Sequence, residues 1–216
     1  MEVVELIPRK EEWYNALCKR HGEDTQRKFS SATVAICGLG GLGSNIAVAL
    51  ARAGVGKLIL IDFDKVDITN LHRQQYKAKQ IGIYKTEAQQ ENLSEIAPYV
   101  MTEIHSVYIT EDNAETLLEN ADIICEAFDN AECKAMLVNL ALEKMPAKYI
   151  IAASGMAGMG SANTIQTRRV SKRLYICGDE KSDVEKQGSL ISSRVMICAA
   201  HQAHTALRIL AEKYET

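Results

Sequence analysis

A glycine-rich turn, placed between an apolar run and a helix-forming segment, is the first feature that points to chemistry. Residues 34–44 read VAICGLGGLGS, in which Gly38, Gly40 and Gly43 have the spacing G-x-G-x-x-G and Gly41 lies between them. Glycine permits a tight turn and lets phosphates approach the N–H groups at the positive end of a helix. The turn predicts a bound nucleotide, and by itself it favours NAD or FAD over ATP.

A polar block after the next apolar run shifts this prediction towards ATP. Residues 57–61 read KLILI, which is typical of a buried strand, and residues 62–76 then read DFDKVDITNLHRQQY. Ligands of open α/β sheets bind beyond the carboxyl ends of the strands, where a carboxylate can accept hydrogen bonds from ribose hydroxyls. The side chains of this block that we expect to contact the nucleotide are Asp62, Asp64, Asn70, Arg73 and Gln74. An ordinary dehydrogenase does not need this Asn-x-x-Arg-Gln cluster.

Charged residues in and after this block fit a polyphosphate and its metal ion. Arg73 and Lys85 can neutralise phosphate charge, and Asp129 or Asp64 can bind Mg²⁺. The sequence lacks the P-loop pattern G-x-x-x-x-G-K-[ST], so transfer of the γ-phosphate is not the favoured chemistry. Attack on the α-phosphate, with pyrophosphate leaving, is more consistent with a nucleotide laid along a Rossmann turn.

Taken together, these motifs resemble a known superfamily. GLGGLGSN, DFDKVDITNLHRQQY and EAFDNAECK, with Lys85, resemble the adenylation domain of ubiquitin-activating-enzyme-like proteins, strongly over residues 20–155 and more weakly beyond. The most similar group is the sulfur-carrier adenylyltransferases ThiF, MoeB and HesA. The later segments AASGMAGMGSANTI, LYICGD and AAHQAH look most like a short ThiF-type subfamily.

The resemblance implies an activity and a set of residue roles. The expected reaction is ATP-dependent adenylation of the C-terminal Gly-Gly carboxylate of a small ubiquitin-like sulfur carrier similar to ThiS, with release of pyrophosphate, for thiamin biosynthesis. ATP and Mg²⁺ are the expected cofactors. Gly40 and Gly41 would line the nucleotide, and Asp62 would hold the ribose. The other implied roles are phosphate contacts for Asn70, Arg73 and Lys85, and Mg²⁺ binding for Asp129.

The resemblance also implies a homodimer, in which an N-terminal arginine of one subunit reaches the site of the other. Arg20, within KRHGEDTQRKF, is the expected residue and joins the catalytic set, and Arg27 is the alternative. The sequence leaves two other functions open. One is adenylation of a tRNA-bound or small-molecule carboxylate, as in the threonylcarbamoyl-adenosine dehydratases, which would be expected to need a basic surface. The other is a nucleotide-binding subunit without catalysis.

Cysteines and basic residues limit further expectations. None of the six cysteines forms a C-x-x-C pair, so we predict no zinc, although many relatives bind it. Some relatives use a cysteine of this region for a covalent linkage, and the resemblance makes Cys177, in LYICGD, the one candidate here, with an ordinary strand residue as the alternative. Lys172, Arg173 and Lys181 lie near it in sequence and could supply the positive charge that a reactive thiolate needs. The basic run at residues 168–173 is interpreted as a solvated edge rather than as an RNA-binding patch.

Bulk composition excludes several classes of protein. With 216 residues, the chain can form one domain with a substantial core. The formal net charge of −3 argues against binding of nucleic acid through bulk positive charge, so we do not expect a nucleic-acid partner. No apolar run approaches the ~18 residues that a membrane span needs, and residues 1–10 lack the apolar core of a signal peptide, so we expect a cytoplasmic protein.

The candidate nucleotide-binding residues need a scaffold that brings the ends of several strands together. Alternating strand and helix patterns predict an α/β fold, a Rossmann-like doubly wound and mostly parallel sheet with a C-terminal antiparallel extension and a long closing helix. The predicted strands are residues 33–37, 57–62, 100–109, 122–125, 149–153, 161–169 and 173–177, and the predicted helices are 11–21, 45–53, 86–96, 111–119, 130–144 and 192–213. Residues 1–216 are predicted to form a single adenylation domain, with residues 1–30 as its helical N-terminal segment.

Overall fold

A seven-stranded sheet runs through the part of the chain that the computed structural model describes, residues 7–216. Its strands are β1 (Thr33–Cys37), β2 (Lys57–Ile61), β3 (Met101–His105), β4 (Ile123–Glu126), β5 (Tyr149–Ala153), β6 (Gln166–Arg169) and β7 (Leu174–Gly178). Their order is β3-β2-β1-β4-β5-β7-β6, and only β6 is antiparallel to its neighbour. The predicted α/β fold is confirmed.

Helices cover both faces of this sheet. They are α1 (Lys10–His21), α2 (Glu23–Ser31), α3 (Gly41–Arg52), α4 (Lys85–Ile96), α5 (Glu111–Leu118), α6 (Ala131–Lys144), α7 (Val184–Gln187) and α8 (Ser192–Leu210). The core on one face takes side chains from α3, α4 and α8, and the core on the other takes side chains from α5 and α6. Across residues 7–216, none of the helices has the length and apolar character required to cross a membrane.

Strand β1, at the centre of the sheet, is buried on both of its faces. Val34 and Ile36 of β1 pack towards α3 and α8, whereas Ala35 and Cys37 pack towards α5 and α6, and all four are fully buried. A parallel strand with helices on both faces has no solvated side, so its sequence is a continuous apolar run instead of an alternating one. The strand can therefore present polar groups only beyond its end, which is where the glycine turn begins.

Several element boundaries differ from the prediction. Helix α3 begins at Gly41 instead of Asn45, because the glycines of the turn already form its first turn, and the Ser44 N–H donates to the Gly40 carbonyl at 3.1 Å. Strand β3 ends at His105 instead of Ile109, since its only neighbour, β2, ends opposite that residue.

The C-terminal part contains more local structure than predicted. Residues 161–169 are not one strand, because the Ser161 side chain accepts the N–H of Asn163 and starts a 3₁₀ turn over Ala162–Thr164, before β6. The polar loop after β7 contains the short helix α7. The closing helix is confirmed but ends at Leu210. In the N-terminal segment, α1 and α2 are helical as predicted, and residues 1–6 lie outside the described residues.

The path of the chain opens a crevice at one edge of the sheet. From β1 the chain moves outwards to β2 and β3, and it then returns to place β4 on the opposite side of β1. Loops that leave β1, β2 and β4 therefore diverge and leave a gap beyond Cys37, Ile61 and Glu126. Ligands of doubly wound sheets bind at this switch point, and the predicted site residues follow these three strands.

Candidate functional site

The glycine turn is packed so closely that most of its glycines cannot be replaced. Gly38 has φ +93°, and a Cβ there would lie 2.8 Å from the carbonyl oxygen of Ala127. A Cβ on Gly43 would lie only 1.8 Å from the Gly38 carbonyl oxygen. Gly40 is different, because a Cβ there would meet only Gln74 Nε2, at 3.9 Å. The open side of the turn is therefore at Gly40, where a ligand can reach the backbone.

We expect alanine substitutions to separate these two kinds of glycine. Gly43→Ala should destabilise the fold by about 3 kcal/mol or more, because the new methyl group meets backbone that cannot move aside. Gly40→Ala should leave the unfolding free energy within about 0.5 kcal/mol of the parent and should weaken nucleotide binding by blocking the approach. Urea unfolding and the nucleotide-induced shift in Tm measure both effects. Unchanged nucleotide binding in Gly40→Ala would show that the ligand does not use this turn.

An ion pair at the end of β2 holds the predicted ribose-binding carboxylate. Lys85 Nζ donates to Asp64 Oδ2 at 2.6 Å and lies 3.8 Å from Asp62 Oδ1, and the Lys85 side chain is 6% exposed. The Leu39 N–H donates to Asp62 Oδ2 at 2.6 Å, which ties the carboxylate to the turn. Burial raises the pKa of Asp62, while the charge of Lys85 lowers it. Each carboxylate oxygen can accept two hydrogen bonds, so acceptor capacity remains for a ligand.

Two buried polar atoms beside the turn have no partner among residues 7–216. They are Nε of Arg73 and Oε1 of Gln74. A Cβ on Gly41 would lie 3.2 Å from Arg73 Cγ, so the arginine packs directly on the turn. Buried polar atoms are nearly always hydrogen-bonded, and leaving one unpaired costs about 1–3 kcal/mol. These two atoms are therefore suited to a polar ligand lying across Gly40 and Gly41.

Asp129, on the loop after β4, lies close enough to Arg73 for its charge to act on the guanidinium group. Burial lowers the pKa of Arg73, and the charge of Asp129 opposes that change. Asp129 is exposed. It does not cap the following helix, because the side chain of Asn130 accepts the Cys133 N–H at 2.9 Å and caps α6 instead. Since α6 is capped without it, the Asp129 carboxylate can face a ligand.

Two residues that the sequence interpretation missed support the turn from behind. Asn45 Nδ2 donates to the Gly41 carbonyl at 2.6 Å and lies 3.3 Å from the Arg73 carbonyl, so it joins α3 to the arginine. The Tyr76 hydroxyl donates to the Leu39 carbonyl at 2.7 Å. Burial raises the pKa of Tyr76 well above its usual value, which keeps the hydroxyl a donor. The position of Tyr76 at the end of the HRQQY block was the available sequence signal.

A buried ion pair holds the loop that carries Asp129. Glu126, the last residue of β4, is fully buried, and its Oε1 accepts the Phe128 N–H at 2.7 Å. Lys134 Nζ on α6 donates to Glu126 Oε2 at 2.5 Å, and Gln202 on α8 donates to the Glu126 carbonyl at 2.9 Å. Burial raises the pKa of Glu126, and Lys134 limits that rise. A carboxylate that ends an apolar strand was the signal for this pair in the sequence.

We expect Lys134→Met to destabilise the fold by about 3 kcal/mol, because it leaves a buried carboxylate without its cation. The loss should be larger at pH 8 than at pH 5. The folded-state pKa of Glu126 lies above its unfolded value and rises further without Lys134, so stability is lost as pH rises through that raised pKa. Lys144→Met on the same helix removes only an exposed pair with Glu115 and should leave stability unchanged at both pH values. Urea unfolding of each variant at the two pH values measures these losses of unfolding free energy. Equal losses in Lys134→Met at pH 5 and pH 8 would show that the Glu126 charge is not the cause.

The remaining predicted site residues lie at or near the same edge. Asn70 ends a 3₁₀ turn over Ile68–Asn70, and its carbonyl accepts the Arg73 N–H at 3.2 Å, so it helps to position the arginine. Asp67 caps that turn by accepting the Thr69 N–H at 2.8 Å, a structural role. Within residues 7–216, no group of three or more His, Cys, Asp and Glu side chains is arranged to hold a metal ion. Binding of Mg²⁺ by Asp129 stays a prediction.

Arg20 lies far from the crevice of its own chain. It is exposed in the last turn of α1. The α1–α2 corner is fixed by Gln26, which bonds His21 Nδ1 and donates to the Gly54 carbonyl at 3.1 Å, beyond the C-terminal end of α3. Because α3 has 12 residues, it separates this corner from the glycine turn by about 18 Å. The alternative, Arg27, is also exposed and pairs with Asp24.

Cys177 lies inside β7 and is fully buried. Burial raises the pKa of its thiol to about 11, although hydrogen bonds with Thr167 and Thr205 favour the charged form. Reactive cysteines need partial exposure and a lowered pKa. The geometry therefore argues against a covalent role for this residue.

Most of the basic run at residues 168–173, which begins in the last two residues of β6, is engaged in internal contacts. Arg168 forms a two-bond ion pair with Glu180, with distances of 2.7 and 2.8 Å. Arg173 lies 4.8 Å from the ring centroid of Tyr149. Arg169 lies 5.6 Å from that of Tyr175 and donates to nearby carbonyls. These contacts hold the three guanidinium groups against the chain, and the Glu180 carboxylate offsets the charge of Arg168.

Known proteins are similar to this chain over half of its length or more. Ubiquitin-like modifier-activating enzyme 5 of Caenorhabditis elegans is 40% identical over 125 residues, which cover 53% of this chain and 30% of that protein. The adenylyltransferase and sulfurtransferase UBA4 of Lodderomyces elongisporus is 25% identical over 197 residues, which cover 88% of this chain and 43% of that protein. The chain thus spans less than half the length of either relative.

Solved structures share the fold over almost the whole chain. The tRNA N6-threonylcarbamoyladenosine dehydratase TcdA of E. coli, in complex with ATP, has a TM-score of 0.85 at 21% identity, covering 96% of this chain and 98% of that one. MccB of E. coli has a TM-score of 0.70 at 21% identity, covering 96% of this chain and 66% of that one. The model of the ThiF family matches residues 14–216. The chain therefore belongs to the ThiF family.

Proposed function

We propose that this protein adenylates the C-terminal Gly-Gly carboxylate of a small ubiquitin-like sulfur carrier protein, similar to ThiS and serving thiamin biosynthesis, with ATP as the second substrate. The observation that carries the proposal is the pair of unpartnered buried atoms, Arg73 Nε and Gln74 Oε1, beside the open backbone of Gly40. Membership of the ThiF family supports it, and UBA4 is named an adenylyltransferase.

Each part of the crevice suits one part of ATP. The Asp62 carboxylate accepts the ribose hydroxyls, and Gly40 and Gly41 let the phosphates approach the backbone at the start of α3. Arg73 and Lys85 provide the cations that the phosphates need, with Asn70 and Gln74 as polar contacts. Mg²⁺, which Asp129 would hold, supplies further neutralisation of phosphate charge when bound.

The reaction requires positioning and charge neutralisation more than acid–base chemistry. A carboxylate oxygen of the carrier attacks the α-phosphorus of ATP, the new O–P bond forms, and the bond to the bridging oxygen breaks, so pyrophosphate leaves with the electron pair. The carboxylate is already the nucleophile, so no cysteine is required and no proton has to move. Lys85 and Arg73 stabilise the charge that develops on the departing phosphates. To reach them, Lys85 exchanges its bond with the half-exposed Asp64 carboxylate for a phosphate oxygen.

We propose that Arg20 acts in the site of a second copy of the chain. The residue lies at the wrong end of α3 to reach its own crevice, so a catalytic role requires a homodimer in which it enters the site of the partner. Size measurement by light scattering, together with activity in mixtures of Arg20→Ala and Asp129→Ala variants, tests this role. Recovered activity in the mixture supports it, and a monomeric active enzyme contradicts it.

Adenylation of a tRNA-bound carboxylate is the main competing function. The structural likeness to TcdA shows only a shared fold, because the two chains are 21% identical. The contacts of Arg168, Arg169 and Arg173 favour the protein carrier, since those guanidinium groups are engaged within the chain. A non-catalytic subunit is also disfavoured, because such a subunit has no need of Arg73, Lys85 and Asp129 together.

Two measurements test the proposal. ATP with Mg²⁺ should raise the Tm of the protein and NAD should not, because a ligand stabilises only the state that binds it. ATP–pyrophosphate exchange should then depend on one member of a panel of carriers that end in Gly-Gly. Stabilisation by NAD alone would overturn the ATP site, whereas salt-dependent tRNA binding with no carrier-dependent exchange would favour the competing function.

A further inference from the structure

Two loops at the second half of the sheet lack an apolar core of their own. The first, here the β5 loop, comprises residues 154–161, and the second, the β7 loop, comprises residues 179–191. Most of their side chains are exposed, and Met159 is 83% exposed. Segments of this kind open easily unless polar contacts hold them, and here one buried guanidinium group makes several such contacts.

Arg194, in the first turn of α8, connects the two loops. Its side chain is 5% exposed. Nη1 donates to the carbonyls of Gly160 at 2.8 Å and Ser161 at 2.6 Å, at the end of the β5 loop. Nη2 donates to Asp179 Oδ2 at 2.5 Å, at the start of the β7 loop, and to Thr164 Oγ1 at 3.1 Å. The planar donor fork of arginine suits this set of acceptors, whereas an ammonium group cannot reach all of them.

Asp179 extends this connection into both loops. Its Oδ1 accepts the N–H groups of Lys181 at 2.9 Å and Ser182 at 2.8 Å, which shapes the β7 loop. The Ser182 hydroxyl in turn accepts the Ala157 N–H at 2.9 Å, from the β5 loop. Removing Arg194 would therefore leave a mostly buried carboxylate without its cation and both loops without their shared anchor.

The same anchor adjoins the nucleotide crevice. A Cβ on Gly41 would lie 2.9 Å from Val195 Cγ1, so the residue after Arg194 packs on the glycine turn. The carbonyl of Leu190, in the β7 loop, lies 3.2 Å from His72 Nε2, next to Arg73. The groups proposed for ribose and phosphate follow β1 and β2, whereas the two loops follow β5 and β7. The loops thus stand on the side of the crevice that the nucleotide leaves free.

We propose that Arg194 is a positioning residue, which together with Asp179 fixes the β5 and β7 loops on the side from which the second substrate reaches ATP. The inference rests on the proposed function, because it assigns that side to the carboxylate substrate. Arg194 acts through the loops and does not touch the reacting atoms. Its loss should therefore impair use of the carrier more than binding of ATP.

Kinetics of carrier-dependent ATP–pyrophosphate exchange test this division. In Arg194→Met we expect the KM for the carrier to rise about tenfold or more, with the KM for ATP within about twofold of the parent, since misplaced positioning groups cost about this much. Arg194→Lys should recover part of the loss, because it keeps the charge beside Asp179. Arg208→Met is the matched control, since Arg208 is another hydrogen-bonded cation of α8, and both constants should stay unchanged.

Limited trypsin digestion measures how easily the β7 loop opens, without any substrate present. In Arg194→Met, cleavage after Lys181 and Lys186 of the β7 loop should accelerate, while Arg208→Met should behave as the parent. Unchanged cleavage at these lysines in Arg194→Met would overturn the inference. An equal rise of both KM values would also overturn it, because it would show a general structural defect. If the parent shows no exchange with any carrier, the proposed function fails, and the digestion still decides whether Arg194 holds the loops.

Discussion

Lys85→Met is expected to reduce carrier-dependent ATP–pyrophosphate exchange by a factor of about 10²–10³, the usual cost of removing one group that stabilises developing charge. Lys85 is the first residue of α4, and its Nζ lies between the carboxylates of Asp62 and Asp64. Methionine fills similar space without the charge. The substitution removes the cation for the departing phosphates and leaves the carboxylates unopposed. Initial rates of exchange at saturating ATP and carrier measure the loss.

A second variant separates the effect of Lys85 on exchange activity from its effect on the stability of the fold. Lys85→Met alone should cost about 3 kcal/mol in unfolding free energy, because the buried Asp62 carboxylate loses its cation. Adding Asp64→Asn removes one of the two facing negative charges, so the double variant should recover part of that stability. Exchange should stay low, because the catalytic cation is still absent. If exchange recovers together with stability, Lys85 has only a structural role.

Asp129→Asn is expected to reduce exchange at least 10²-fold while the unfolding free energy stays within about 0.5 kcal/mol of the parent. The residue is exposed, and Asn130 instead of Asp129 caps α6, so the fold does not depend on its charge. Asp67→Asn is the matched control, because Asp67 is another exposed carboxylate, on the loop after β2, and asparagine can keep its cap of the turn. Exchange measured over a series of Mg²⁺ concentrations makes the test specific. Normal exchange in Asp129→Asn at every concentration would show that this carboxylate does not serve the metal.

Local sequence patterns were sufficient to predict most of the fold. Apolar runs such as residues 57–61 predict buried strands, and the alternation of strand and helix predicts a doubly wound sheet, because both depend on near neighbours in sequence. The position of the candidate site follows from patterns of the same kind, whereas the roles of its residues stay predictions. Gly40, Asp62, Arg73 and Lys85 lie in compact motifs, and the structure brings them to one edge.

The residues that were missed depend on contacts that no local pattern specifies. Glu126 meets a lysine of the next helix and a glutamine of α8, and Arg194 meets carbonyls from an earlier loop. The end of an apolar strand marks Glu126 in the sequence, but the partners of both residues can be identified only after the other elements are placed. The start of α3 was missed for another reason, because glycine has a low helix propensity that the packing against Gly38 overrides here.

If ATP activates a carboxylate at the C-terminus of a protein carrier, the carrier itself must gain an adenylyl group. Intact-mass analysis of a Gly-Gly carrier, incubated with the protein, ATP and Mg²⁺ and quenched in acid, detects this group. We expect a species heavier by one adenylyl group, formed with the parent and absent when the carrier ends in an amide or lacks its last glycine. An unmodified carrier, or the same adduct on the amidated carrier, would show that the protein does not carry out this reaction.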